Sequence, residues 1–279
     1  MTCLLRQRDA GFTLIEAIMV IVITGILSSI VAVFITKPVQ GYVDSVRRAE
    51  LTDAADVALR RITRDVRLAL PNSMRTVTNG FEFIMTKSGG RYRDSADGST
   101  GGYFLSFTPG ASTDFDVLGT MPSMAANDYV VVYNLGSAPA NAYDCSATPP
   151  GCNIAKISSF PSTNRVRLFS NVFAAQTPAL PSPSARFQIV DQNDLVVRYV
   201  CDGHTLTRFS ACTLATPSVC SGAGSLLAGV ATGEPTATCA IDYISTATGR
   251  NGMLYIQLTL TQSGESITLF QQINMDNSP

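Results

Sequence analysis

Residues 12–35 read FTLIEAIMVIVITGILSSIVAVFI, 24 residues with one charge, Glu16. As a helix rising 1.5 Å per residue this run spans ~36 Å, enough to cross a hydrocarbon core of ~30 Å. A cleavable secretory signal has a shorter apolar core followed by a small-residue cut site. Here the run ends in Val33-Phe34-Ile35-Thr36-Lys37, with no A-x-A pattern, so it is expected to be kept. Arg6 and Arg8 on the short N-terminal side favour a cytoplasmic N-terminus. Everything after Lys37 is then expected outside the cytoplasm.

The cysteines agree with that placement. Of seven, Cys3 precedes the apolar run, and Cys145, Cys152, Cys201, Cys212, Cys220 and Cys239 fall in the second half. No CxxC pair is present, and a single histidine cannot complete the usual zinc sets. Three disulfides in an oxidising compartment follow. Six cysteines allow fifteen patterns, and strand faces rank them. Cys201 shares a face with Leu195, Val197 and Tyr199, and Cys239 shares one with Ile241 and Tyr243. The ranked expectation is Cys145–Cys152, Cys201–Cys239 and Cys212–Cys220.

The chain has 279 residues, a formal net charge of −1 and only 15% charged residues. Arg6, Arg8 and Asp9 contribute +1 of that, leaving −2 for the rest. A weakly acidic body has no electrostatic footprint for nucleic acid.

Glu16 admits two readings. A lone charge in a bilayer costs about 2.5–3.5 kcal/mol at the centre and less near the edge, and a helix N-terminus favours an acid. An interfacial first-turn glutamate is the plainer reading. The sharper one needs a cut between Gly11 and Phe12, which would place a free ammonium on Phe12, four residues before Glu16. That amine, or one from a neighbouring copy, would pair with the carboxylate, and a mismatched stagger would leave both unpaired.

Gly11-Phe12-Thr13-Leu14-Ile15-Glu16, with its basic leader and apolar run, resembles the prepilin motif of type IV pilins and type II secretion pseudopilins. The resemblance implies cleavage after Gly11 by a prepilin peptidase, N-methylation of Phe12, and filament assembly aided by Glu16. Gly25 also falls where many pilins have glycine. Many pilins have a helix-kinking proline where this chain has Val33; here the first proline is Pro38.

Residues 39–70 place Val39, Tyr42, Val43, Val46, Leu51, Ala55, Ala58, Leu59, Ile62, Val66 and Leu70 at intervals near three and four, an amphipathic helix that Pro71-Asn72 ends. Pro38 and Gly41 are positioned to bend or interrupt it. A continuous helix over 12–70 would measure roughly 88 Å. The opposite face carries Arg47, Arg48, Arg60, Arg61, Arg64 and Arg67 interleaved with Glu50, Asp53, Asp56 and Asp65, a solvated face or a contact with neighbouring subunits.

Beyond residue 71 the period changes to two. Strands are expected at Phe81–Ile84, Tyr103–Phe107, Tyr129–Tyr133, Arg165–Phe169, Arg186–Val190, Leu195–Cys201 and Thr205–Phe209, with Asp202-Gly203 as a hairpin turn. Leu254, Ile256, Leu258 and Leu260 alternate with polar residues, then Ser263-Gly264 and Ile267, Leu269 complete a closing hairpin. Residues 88–102 and 136–152 read as long loops. The expected division is a leader, 1–11; a membrane or filament-core helix, 12–37; an amphipathic helix, 38–70; and a β-rich disulfide-bonded head, 71–279. The fold class is α+β: a long helix packed on an antiparallel sheet.

Val39-Gln40-Gly41-Tyr42, the helix Arg47–Leu70, Tyr199-Val200-Cys201-Asp202 and the closing residues 271–279 resemble minor pilins of the mannose-sensitive haemagglutinin pilus type, and more loosely J-type pseudopilins. This implies a low-copy subunit that initiates, primes or caps a filament. Its implied partners are major and minor pilins or pseudopilins, the prepilin peptidase, the inner-membrane assembly platform and membrane lipid, with no cofactor. The implied location is the bacterial inner membrane, then the pilus. A tip adhesin is the alternative role.

Chemistry is sparse. His204, the lone histidine, follows a turn and is expected on an exposed hairpin. Gly222-Ala223-Gly224-Ser225 lacks the third glycine of a dinucleotide loop. Asp114/Asp116 and Asp191/Asp194 have the spacing of acid–base pairs but read as solvated turn residues. Asp94 and Asp97 lack the spacing of a calcium loop. No catalytic, cofactor or metal residue is assigned.

Overall fold

The structure is a computed structural model, and it describes residues 11–95, 102–146, 152–215, 218–245 and 251–278. Contacts divide the chain after Glu50. One helix, α1 (Leu14–Val66), runs through that division.

In the first unit, residues 11–43 are all exposed. The helix runs through Pro38 and Gly41 without the interruption that was one of the two expectations there. Pro38 removes one backbone donor, the partner of the Phe34 carbonyl, without ending the helix.

In the second unit, Leu51, Ala55, Ala58, Leu59, Ile62 and Val66 are buried. Their spacing forms one stripe. The helix stops at Val66 rather than Leu70. Leu68 N–H bonds Asp65 O (3.0 Å) and Ala69 N–H bonds Val66 O (3.0 Å), tightening the last turn to i→i+3 bonds. Leu70 N–H is then taken by Ile84 O at 2.8 Å.

Fourteen strands follow among the described residues: β1 (Arg75–Val77), β2 (Gly80–Ile84), β3 (Thr86–Tyr92), β4 (Asp114–Leu118), β5 (Tyr129–Val131), β6 (Ile154–Ser162), β7 (Arg165–Leu168), β8 (Arg186–Val190), β9 (Val196–Cys201), β10 (Thr205–Cys212), β11 (Ser225–Gly229), β12 (Thr236–Ile244), β13 (Asn251–Gln262) and β14 (Glu265–Asp276). They form a five-stranded sheet, β1-β2-β9-β10-β11, a three-stranded sheet, β12-β13-β14, and a closed barrel, β3-β4-β7-β6-β5-β8. All pairings are antiparallel. The α+β class holds, but the sheet is not single. β2 and β9 are neighbours, and the chain between them folds into the barrel.

The core divides accordingly. The helix stripe packs with Phe81, Phe83, Tyr199, Leu254, Ile256 and Leu258 of the two open sheets. The barrel interior holds Tyr92, Phe115, Val130, Ile157, Val166 and Phe187. A third cluster, with Leu70, Ile84, Tyr143, Val190 and Val196, joins the barrel to the five-stranded sheet.

Several expectations change. Residues 86–92, expected within a loop from 88, form β3. Residues 103–107, expected as a strand, form none; among their bonds, Leu105 N–H donates to Arg93 O and Asp116 N–H donates to Tyr103 O, each at 2.8 Å. In the expected 136–152 loop, Ala142–Ser146 form a 3-10 turn. Asp114 and Asp116, expected in a turn, lie buried on β4. Ser225, which closes the glycine-rich Gly222-Ala223-Gly224-Ser225 stretch, begins β11.

Candidate processing and assembly site

The helix start is built by Thr13. Its carbonyl accepts from Glu16 N–H (3.1 Å) and Ala17 N–H (3.2 Å), and its Oγ1 also accepts from Glu16 N–H at 3.3 Å. Thr13 is therefore the N-cap and Glu16 the third helical residue, the spacing of a capping box. The carboxylate gains from the helix N-terminus. No cation lies within ion-pair distance of Glu16 among the described residues. Phe12, directly before the cap, is 81% exposed.

Three hydroxyls in and just after the apolar run bond back onto the helix. Thr24 Oγ1 donates to Val20 O at 2.6 Å, Ser29 Oγ to Ile26 O at 2.7 Å and Thr36 Oγ1 to Ala32 O at 2.9 Å. Back-bonded hydroxyls need no water, which suits an apolar surrounding. The helix is long and apolar enough to cross a membrane, and none of its most apolar window is buried by the rest of the chain.

Charges in the second unit are used differently. Asp65, expected on the solvated helix face, is buried. Its Oδ2 accepts from Arg208 Nε at 2.6 Å and from the Tyr199 hydroxyl at 2.8 Å. Burial and the neighbouring Asp65 charge push the Tyr199 hydroxyl above its ordinary pKa. Burial opposes the Arg208 charge, but the bond to Asp65 overcomes it and raises the pKa.

Glu82, fully buried on β2, accepts from Arg75 Nε at 2.5 Å, Arg198 Nε at 2.7 Å and Ser218 Oγ at 2.5 Å. Burial would raise its pKa; the Ser218 hydroxyl and the two guanidiniums hold it below the usual carboxylate value instead. Arg75 also lies over the Tyr143 ring at 3.6 Å.

Asp114 and Asp116 face Arg167 and Arg165 in register across β4 and β7. The Arg167–Asp114 contact is 2.7 Å and the Arg165–Asp116 contact 2.8 Å. The Arg167 bond chiefly holds Asp114 below its ordinary pKa. Burial opposes the same shift at Asp116, and Arg165 overcomes it. Carboxylates committed in this way serve as cross-strand pairs. Asp191 bonds Lys87 at 2.9 Å. His204 is exposed at the β9–β10 turn, its N–H bonded to Asp202 Oδ1 at 2.9 Å.

Disulfides join Cys201 to Cys239 and Cys212 to Cys220. The first ties the five-stranded sheet to the three-stranded one. Cys152 is disulfide-bonded; the side chain of Cys145, its expected partner, lies outside the described residues. So do Asp97, Cys3, Arg6 and Arg8. Among the described residues, no group of three or more His, Cys, Asp or Glu could hold a metal.

The reading of the residues missed Asp65, Glu82 and their arginine partners. A signal existed: Asp65 stands three residues after Ile62 and one before Val66, inside the apolar stripe, and Glu82 stands between Phe81 and Phe83.

Residues 6–32 match the model of the prokaryotic N-terminal methylation motif. No curated protein and no solved structure matches the chain significantly. The matched segment takes in Gly11, Phe12, the Thr13 cap and Glu16, and it supports a type IV pilin-like family.

Proposed function

We propose that this chain is a minor pilin-type structural subunit that helps initiate, prime or cap a filament. The observation that carries the proposal is the methylation motif at the start of a helix whose N-terminal apolar run, Leu14 to Ile35, finds no cover within the chain. A helix apolar on all sides needs lipid or other helices around it. In this reading the peptidase cuts after Gly11, Phe12 becomes the methylated N-terminus, and the helix waits in the inner membrane with the head outside.

Glu16 then has a use. Its carboxylate is exposed beside a capped helix start, and a Phe12 amine from this or a neighbouring subunit neutralises it. An ion pair buried among packed helices is costly to leave half-made, so it selects one stagger. The partners are other pilins, the peptidase, the assembly platform and lipid. A J-type pseudopilin of type II secretion would use the same parts.

Glu16→Val tests the proposal. Incorporation into filaments or subunit complexes in cells is expected to be lost, while the head keeps its melting temperature. Normal incorporation of Glu16→Val would remove the registering role.

A further inference from the structure

The margins of the sheets are not alike. β1 has three residues. β11 meets β10 across a register shift. β12 packs against β9, β10 and β11 of the other open sheet. The barrel closes on itself. β14 differs from all of these. It has twelve residues, and β13 matches it one for one from Asn251↔Asp276 to Gln262↔Glu265 without a bulge. Its other side pairs with no strand among the described residues. Between Ser266 and Met275 it has no charge and no proline. Natural edges are blunted by short length, lysine, proline or bulges, because an open row of N–H and C=O groups recruits another strand. β14 uses none of these devices.

Beside it lies a groove of about 440 Å³, lined by Gln271 of β14 and by Arg60, Thr63, Arg64, Arg67 and Leu68 from the end of the helix. Arg60 is paired with Asp56 at 2.7 Å. The carboxylate nearest Arg64 is Asp65, at 4.0 Å, and that group is already bonded to Arg208 and Tyr199. Arg67 is exposed and has no acidic partner among the described residues. The groove therefore holds positive charge in surplus, and Gln271 of the unpaired strand edge of β14 lines it.

We infer that the outer edge of β14 accepts an added strand from another subunit, an extended segment whose acidic side chains lie against Arg64 and Arg67. Main-chain bonds to β14 give the affinity, and the guanidiniums select an acidic sequence and its direction. The inference rests on the assembly reading above and names the surface of the head that reading leaves open.

Hydrogen exchange read by mass spectrometry tests it, on the full-length chain in detergent and on subunit assemblies recovered from cells. The β14 amides directed away from β13 should exchange freely in the isolated chain and slow ~tenfold or more in the assembly. Arg64→Glu combined with Arg67→Glu should reduce incorporation roughly tenfold. Arg64→Lys with Arg67→Lys should retain most of it. Both positions are exposed, so the melting temperature should stay unchanged. Protection that appears in the isolated chain as its concentration rises would make a second copy the occupant and overturn the inference. Incorporation with β14 still exchanging freely would overturn it and leave the assembly reading intact. Failure of the unaltered chain to enter any assembly would overturn both.

Discussion

The two parts of one helix treat their side chains in opposite ways. From Leu14 to Ile35 the apolar residues point outward on every side, and the Thr24 and Ser29 hydroxyls turn back onto the helix's own carbonyls. From Leu51 to Val66 the apolar residues keep to one stripe, and the stripe carries a buried acid with partners on β9 and β10. The backbone is the same; the surroundings are not. The first part is composed for an apolar environment supplied by other molecules, the second for a core supplied by its own chain. Glu16 and Asp65 are the sharpest contrast: one acid without a cation among the described residues, the other held by an arginine and a tyrosine.

That contrast can be broken most forcefully at Asp65. Asp65→Ala leaves the Arg208 charge buried alone and should cost about 3–5 kcal/mol, read as a lower melting temperature of the full chain in detergent. Asp65→Leu with Arg208→Met should recover most of it. If Asp65→Ala melts like the parent, the buried pair is not what holds helix to sheet.

Apolar positions give the next largest contrast. Ile62→Ala opens a cavity in the core and should destabilise by about 2–4 kcal/mol. Ile26→Ala, on the exposed run, should stay within ~0.5 kcal/mol. Equal losses at the two sites would mean that residues before Glu50 share the core of the head.

Much of this was legible in the sequence. Alternation marked β8, β13 and β14, and a break at Asp202-Gly203 marked the β9–β10 hairpin. The apolar stripe marked the helix. The barrel was hidden because its closure depends on β3 meeting β8, strands about a hundred residues apart. Its first strand was disguised by Gly89-Gly90, which reads as loop. A Cβ on Gly90 would lie 2.9 Å from the Phe187 ring, so the glycine is there for close approach rather than for a turn. The Asp65–Arg208 bond joins positions 143 apart, beyond any local pattern. At the candidate processing site, by contrast, motif, cap and acid lie within six residues, and a local reading could find them all.

Acid sharpens the comparison further. Glu82, Asp114 and Asp116 have folded pKa values below their ordinary ones, so the unfolded chain binds protons more readily. Their contribution is complete above the ordinary carboxylate range of 3.8–4.5 and is lost as pH falls through the lower folded values. Stability of the full chain should be level from neutral pH to about 5 and decline below about 4.5. Glu82→Gln should flatten that decline while lowering stability at neutral pH. A decline unaltered by Glu82→Gln would show that other carboxylates govern it.

The smallest effect on stability is expected at Glu16, the acid to which the proposal gives the assembly role. Glu16→Gln removes an exposed charge from a helix start and should shift stability by no more than ~0.5 kcal/mol. Subunit incorporation should nonetheless fall steeply, separating assembly from folding in a single variant.

Intact-mass and N-terminal peptide analysis of the protein from its native cells addresses the central claim directly. The account predicts a chain that begins at Phe12, carries one methyl group on that nitrogen, and lacks residues 1–11. A functional population that retains the first eleven residues would contradict it.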